Sequence, residues 1–381
     1  MNFLSARFIV FYIVCSCFFS SAISAATTVE LGQLSEFKGS ELCEVSENTL
    51  AYLQRGQTYD EKAIHGGKVD GLAFDLAEVK QTLKFICDTY RKDVRAKKQS
   101  SLHDNAFIQQ NFALHAWQPD LTKAKQVIET TKNQAKKNLL SRIPDDSILL
   151  TKYYTKLVDA KYQRQGDYQY ALYDIPFDEQ HLSLEQADKL GKQLTRYQYT
   201  RQQVMTGILE QKNLAKPLIY LTEQGLHDTL LQGTAVVETS AQAFAYYNVA
   251  RNNGIAYDYA LNKNQQARDW YFKQVPGVMG YGLEPESKIQ ILPQVTVAGN
   301  VADLGLGKLL LLQYQQNGQL ISRLVILADE GGAFDDNLFQ LDLLAGQYKG
   351  WTDYHTANKH LPDFVKAYVL IAKDKNQSAG N

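Results

Sequence analysis

The stretch KLLLLQYQQNGQLISRLVILADEGG, residues 308–332, narrows the fold more than any other part of the chain, because two apolar runs flank Asn317-Gly318. Asn-Gly tolerates the positive φ that a two-residue turn demands at both central positions, so the segment reads as a β-hairpin. Its second strand delivers Asp329 to a Gly331-Gly332 turn. Beyond the turn, LFQLDL at 338–343 alternates as a strand, which puts Gln340 and Asp342 on one face about 7 Å apart. The C-terminal part of the chain is therefore expected to be β-rich.

Upstream the period changes. In DLAEVKQTLKFICDTYRKDV, residues 75–94, Leu76, Val79, Leu83, Ile86, Tyr90 and Val94 recur at spacings of three and four, the mark of one helical face. The pattern from about 45 to 145 reads as helical, with LTKAKQVIETTKNQAKKNLLSRI from 121 as a second amphipathic helix whose lysines face solvent. At 147–176 β-branched and aromatic residues surround a Gln-Gly-Asp turn and close at Pro176, which predicts strand, turn, strand. Helical periodicity returns from 182, and a mixed segment runs to about 270. Gly305-Leu306-Gly307-Lys308 lacks the full glycine pattern of a phosphate loop and reads as the start of a strand.

With 381 residues the chain exceeds the size at which single cores stop growing, about 250 to 300 residues, so two domains are expected. Forty basic against 41 acidic residues leave a net charge of -1, without the basic footprint that nucleic-acid binding requires. The first residues, MNFLSARFIVFYIVCSCFFSSAISAATTVE, carry Arg7, an apolar stretch from Phe8 and small residues Ser24, Ala25 and Ala26. They read as a secretory signal peptide over 1–26, too short for a membrane span, with a lipid anchor on Cys17 as the alternative. Export leaves Cys43 and Cys87, either as a disulfide or as two buried thiols. Seven scattered histidines make no HExxH or similar spacing, so neither a metal site nor a cofactor is expected. The 23 tyrosines suit β-structure, and also suit stacking on sugars.

Three stretches resemble, in order and at compatible spacing over 149–370, the membrane-bound lytic murein transglycosylase A family, which cleaves peptidoglycan in the bacterial envelope. TKYYTKLVDAKYQRQGDYQYALYDIP is similar to the family's Thr-Gly-Tyr-Tyr motif and the strand pair that follows it. LHDTLLQGTAVVE, with ARNNGIAYDY downstream, is similar to its Gln-Gly-Ser-Gly strand and Asn-Gly segment. DEGGAFDDNLFQLDLLAG, with GWTDYH after it, is similar to its Asp-x-Gly-Gly-Ala block and Gly-Trp-Tyr close. The resemblance implies an α+β chain: a double-psi β-barrel from 27–157 plus 276–381 with a helical N-terminal region, and a smaller β-rich domain inserted at 158–275. It also implies glycan strands of peptidoglycan as the partner, a location in the periplasm or envelope, and no cofactor. The reaction would be non-hydrolytic cleavage of the MurNAc to GlcNAc bond, with the MurNAc C6 hydroxyl closing a 1,6-anhydro ring.

That chemistry needs one carboxylic acid to protonate the leaving oxygen and then, as carboxylate, to take the C6 hydroxyl proton. On the family pattern the catalytic aspartate falls at Gln340, and a primary amide delivers no proton. Lys152, Lys156 and Thr234-Ala235 are further departures, standing for a glycine, a proline and Ser-Gly. The acid then comes from Asp342 on the same strand face, or from Asp335 or Asp336 in the turn, unless these are solvated carboxylates. Asp329 either joins the chemistry or caps the Gly-Gly turn. By resemblance Tyr154, Thr155 and Gln232 line the groove, with strand packing and an edge-strand amide as the alternatives. Trp351 and Tyr354 stack on sugar or pack in the core. Three functions remain open: a transglycosylase with a substituted acid, a glycan-binding pseudoenzyme, and a structural envelope protein on the same fold.

Overall fold

Among the described residues there are thirteen strands: β1 (Gln33–Leu34), β2 (Phe112–Ala116), β3 (Ile148–Lys156), β4 (Tyr170–Tyr173), β5 (Pro217–Leu221), β6 (Thr234–Ser240), β7 (Ala243–Asn252), β8 (Trp270–Val275), β9 (Thr296–Ala298), β10 (Leu309–Gln316), β11 (Gln319–Asp329), β12 (Gln340–Tyr348) and β13 (Phe364–Ala372). The computed structural model describes residues 29–34, 37–240, 243–258, 260–332, 334 and 336–374. The expected signal peptide, with Cys15 and Cys17, lies outside the described residues, as does Asp335.

The fold is a mixed α+β arrangement with multi-stranded sheets. In the largest sheet the order is β1-β11-β10-β13-β3-β12-β9, with β2 added on β13 and a further pairing between β9 and β11. The Asn-Gly signal is met: β10 and β11 pair antiparallel through Asn317 (φ 51°) and Gly318 (φ 77°). The run Leu324 to Ala328 is fully buried, as a continuous apolar strand must be when both of its faces are covered. The two strands predicted at 147–176 part company. β3 pairs parallel with β12 and antiparallel with β13, while β4 pairs with β5.

Residues 158–275 hold sheets of their own, β4-β5 and β6-β7-β8, around a cluster that includes Leu172, Ile219, Leu221, Val237, Tyr247 and Phe272. A second group there is charged. Glu179, with no exposed surface, accepts from Arg251 at 2.8 Å and lies 2.9 Å from the Arg196 Nε, both arginines being buried too.

The N-terminal third is helical where the period predicted it. The helix Leu76–Arg95 starts at an Asp75 capping box and buries Val79, Leu83 and Ile86, but Val94 points to solvent, 53% exposed. A disulfide joins Cys87 to Cys43 on the helix Gly39–Leu53, with Cα atoms 4.6 Å apart. Glu47 lies beside the two sulfurs, but disulfide sulfur offers no thiolate to a metal. The helix expected from 121 is two, Leu121–Thr130 and Gln134–Leu140, because extended Thr131 breaks it and the Asn133 side chain caps the second piece. β2 interrupts the helical region as a strand. From 182 the helical stretch is likewise divided, with Gly191 and Gly207 at positive φ between Leu184–Leu190, Arg201–Met205 and Ile208–Gln211.

Candidate functional site

Ala298, the last residue of three-residue β9, has two strand partners: Asp329 of parallel β11 and Asp342 of antiparallel β12. Paired residues on neighbouring strands share a face, and strands lie about 4.8 Å apart, so the two aspartates stand about 10 Å apart at Cα with only a methyl group between them. All three line one cavity of about 320 Å³. β3 brings Tyr153, Tyr154 and Thr155 to its wall, the end of the helix Glu223–Gln232 brings Gln232, and β7 brings Asn248. Lys288, from the connection between β8 and β9, and Glu330, after β11, complete the charged lining.

Burial raises the Asp329 carboxyl to about 6, against the Tyr153 hydroxyl, which donates to it at 2.6 Å, the Glu330 N–H at 2.8 Å, and the Lys288 charge. Burial likewise raises Asp342 to about 6; the Thr151 hydroxyl and Lys152 pull it down, and the Asp329 charge pushes it up. The Asp329 carboxylate thus raises the cost of ionising Asp342. The Asp342 Oδ1 has no hydrogen-bond partner. A buried carboxyl with a free oxygen and a pKa near 6 is suited to carrying and releasing a proton near neutrality. Tyr153 has its own hydroxyl pushed up by burial and by Asp329, so it stays a donor.

Gln340 shares a face of β12 with Asp342, but the strand step carries it into a different depression. Its Nε2 donates to Thr151 Oγ1 at 2.8 Å and its Oε1 accepts from Asn337 at 3.1 Å. That second cavity, about 370 Å³, is walled by Val127, Leu139, Leu140 and Phe339. Asp336 turns outward, its side chain 84% exposed and 3.7 Å from Lys123. Asp329 does not cap the Gly-Gly turn; its carboxylate is taken by Tyr153 and by the adjacent N–H.

Tyr154 and Thr155 line the cavity, and Tyr154 stacks on Tyr354 with ring centres 4.7 Å apart. Tyr354 is buried in this aromatic cluster and donates to the Lys152 carbonyl at 3.0 Å, whereas Trp351 is 67% exposed and lines a separate cavity of about 340 Å³. Gln232 ends a helix rather than lying on an edge strand: Gly233, at φ 74°, stops the helix, and the Gln232 Oε1 accepts from the Lys156 N–H at 2.9 Å.

Thr151 and Tyr153 lie in the stretch that resembles the Thr-Gly-Tyr-Tyr motif but were given no role, and Asn248 and Lys288 carried no recognised signal. Strand alternation assigns Tyr153 and Tyr154 to opposite faces, but the β3/β12 register shifts between Leu344 and Gly346, opposite those two tyrosines. Lys288 and Asn248, 40 residues apart, meet only through tertiary packing.

No family model matches the chain, and no curated protein matches it. Solved structures do. The membrane-bound lytic murein transglycosylase from Agrobacterium tumefaciens is similar with a TM-score of 0.55 and 13% identity, covering 89% of this chain and 94% of that one. MltA of Escherichia coli, solved with bound chitohexaose, has 14% identity and a TM-score of 0.49 over 91% of this chain and 92% of its own. LtgG, a lytic transglycosylase of Burkholderia pseudomallei, has 14% identity and a TM-score of 0.43 over 91% and 98%. At such identity the likeness is one of fold: this chain is built like a lytic murein transglycosylase.

Proposed function

We propose that this protein acts on peptidoglycan glycan strands as a lytic transglycosylase-like enzyme, with Asp342 as the acid in place of the aspartate that the family would carry at Gln340. One observation carries the reading: Asp342 is the strand neighbour of Gln340, lines the charged cavity with a free carboxyl oxygen, and has its pKa raised to about 6. Protonated Asp342 donates to the glycosidic oxygen as the C1–O bond breaks. Its carboxylate then takes the proton of the MurNAc C6 hydroxyl as O6 closes on C1, so no water is consumed. Asp329, held by Tyr153, is the negative group facing the charge that builds at C1. Tyr154, Thr155 and Gln232 are the polar contacts along the groove, and Trp351 with Tyr354 offers a stacking surface beyond it.

The double-psi barrel belongs to this proposal. It is supported by pairings that return on themselves, β9 to β11, β10, β13, β3, β12 and back to β9, two of them parallel. The division into a barrel with its helical region and an inserted domain at 158–275 belongs to it as well, as does export to the periplasm or envelope; among the described residues no helix is long and apolar enough to cross a membrane.

The test is release of 1,6-anhydro muropeptides from purified sacculi, read by mass spectrometry. General acid catalysis contributes about 10² to 10⁴-fold, so Asp342→Asn should lower release by that order, and Gln340→Asp should raise it. Full release by Asp342→Asn would remove Asp342 from the chemistry. A parent that binds sacculi and releases nothing is the glycan-binding pseudoenzyme, and one that does neither is a structural protein.

A further inference from the structure

We propose that Lys288 is an anion-recognition residue and binds a carboxylate carried by the strand that enters the cavity, an inference that rests on the glycan reading above. Lys288 rides on a rigid piece of backbone. The Gly280 N–H donates to the Ile289 carbonyl at 2.8 Å, the Ile289 N–H to the Tyr281 carbonyl at 2.8 Å, and the Ile291 N–H to the Val278 carbonyl at 2.9 Å. Ile289 and Ile291 are buried beneath this short ladder, and the Tyr281 N–H ties it to the Ala328 carbonyl at the end of β11. Gly282 (φ 153°) allows the two sides to close up, since a Cβ there would lie 2.6 Å from the Lys288 Cα.

The ammonium group is held in place by neutral oxygens. Nζ donates to the Asn248 Oδ1 at 2.6 Å and reaches the Val249 carbonyl at 3.5 Å. Asn248 is buried, 3% exposed, and its amide is oriented by the Gly233 carbonyl at 3.2 Å and the Thr234 hydroxyl at 2.9 Å. Among the described residues no ion pair takes up Lys288; Asp329, in the same cavity, acts on it only at longer range. Burial accordingly pulls its pKa below the usual lysine value. A half-buried cation with neutral ligands and open space on its remaining side is completed by an anion from outside.

Within a glycan strand the anion that fits is a carboxylate. A peptide-free MurNAc unit carries one on its lactyl ether, a peptide-bearing unit carries its negative charge along the peptide, and a chain of GlcNAc carries none. Lys288 thereby selects the strand without touching the bond that breaks.

The experiment is calorimetric titration with three hexasaccharides at low ionic strength, in an Asp342→Asn background so that no probe is cleaved. The probes are neutral chitohexaose, a peptide-free GlcNAc–MurNAc strand, and the same strand bearing peptides. At least one anionic strand should bind about tenfold tighter than the neutral one, and which of the two does so assigns the carboxylate to the lactyl group or to the peptide. Lys288→Gln should bring that ratio close to unity, while Lys288→Arg should keep it. An unchanged ratio in Lys288→Gln overturns the subsite, as does binding of all three probes without preference, and in both cases the glycan reading stands. Failure of all three to bind overturns the glycan reading together with the subsite.

Discussion

Asp329 and Asp342 share Ala298 as a strand partner, and that small residue decides how the two acids behave. A larger side chain there would fill the space between them, whereas alanine leaves both carboxyls facing one partly dehydrated cavity, where burial raises both and the Asp329 charge raises Asp342 further. If Asp342 is the acid, it must be protonated in the free enzyme. Its pKa of about 6 places the active form below that pH, so kcat/KM for sacculi should fall through pH 6, about tenfold per further unit. Asp329→Asn removes the like charge that helps to raise Asp342, so the falling limb should move to lower pH. A limb that does not move in Asp329→Asn would show that the two groups do not interact.

The element that holds the helical region together is the disulfide between the helices Gly39–Leu53 and Leu76–Arg95. It closes a loop over a sequence separation of 44 residues, and on the chain-entropy account such a closure stabilises by about 4 kcal/mol. Cys43→Ala with Cys87→Ala, or reduction of the parent, should therefore lower the thermal midpoint by many degrees. An identical midpoint before and after reduction would mean that the bond is absent from the purified protein. Gly346 works at the same scale on β12: at φ 154° it passes the shift of register against β3, and a Cβ there would meet the Tyr348 ring at 2.9 Å.

Across the whole molecule, the cavity is walled on one side by β3, β9, β11 and β12 and on the other by residues of β6, β7 and the helix Glu223–Gln232. How independently 158–275 folds decides how that second wall moves. Glu179 sits between the buried Arg196 and Arg251, and removing one member of such a group typically costs 3–5 kcal/mol because it leaves buried charge unpaired. Glu179→Ala should raise hydrogen exchange throughout β4 to β8 while β10, β11 and β13 keep their protection. Equal loss of protection in both sets of strands would show one cooperative unit, without an inserted domain.

Signals that live within a few residues were legible in the sequence. Asn317-Gly318 specified its hairpin because only residues tolerant of positive φ make that turn, and the three-and-four spacing marked the inward face of 76–95 because a helix repeats every 3.6 residues. Alternation put Gln340 and Asp342 on one face of β12. What alternation does not contain is where a face leads: Gln340 opens into an apolar depression and Asp342 into the charged one, because Thr151 of β3 and Ala298 of β9 come alongside from distant parts of the chain. Strand identity is local, but strand partnership is not: the strand, turn, strand pattern at 147–176 holds no partner for β3, which lies beside β12 and β13 from the end of the chain. Lys288 is the clearest case. Nothing in its neighbours along the chain distinguishes it from a solvated lysine, and only the packing of its loop against Asn248 and the end of β11 takes away part of its water and brings its charge within range of Asp329.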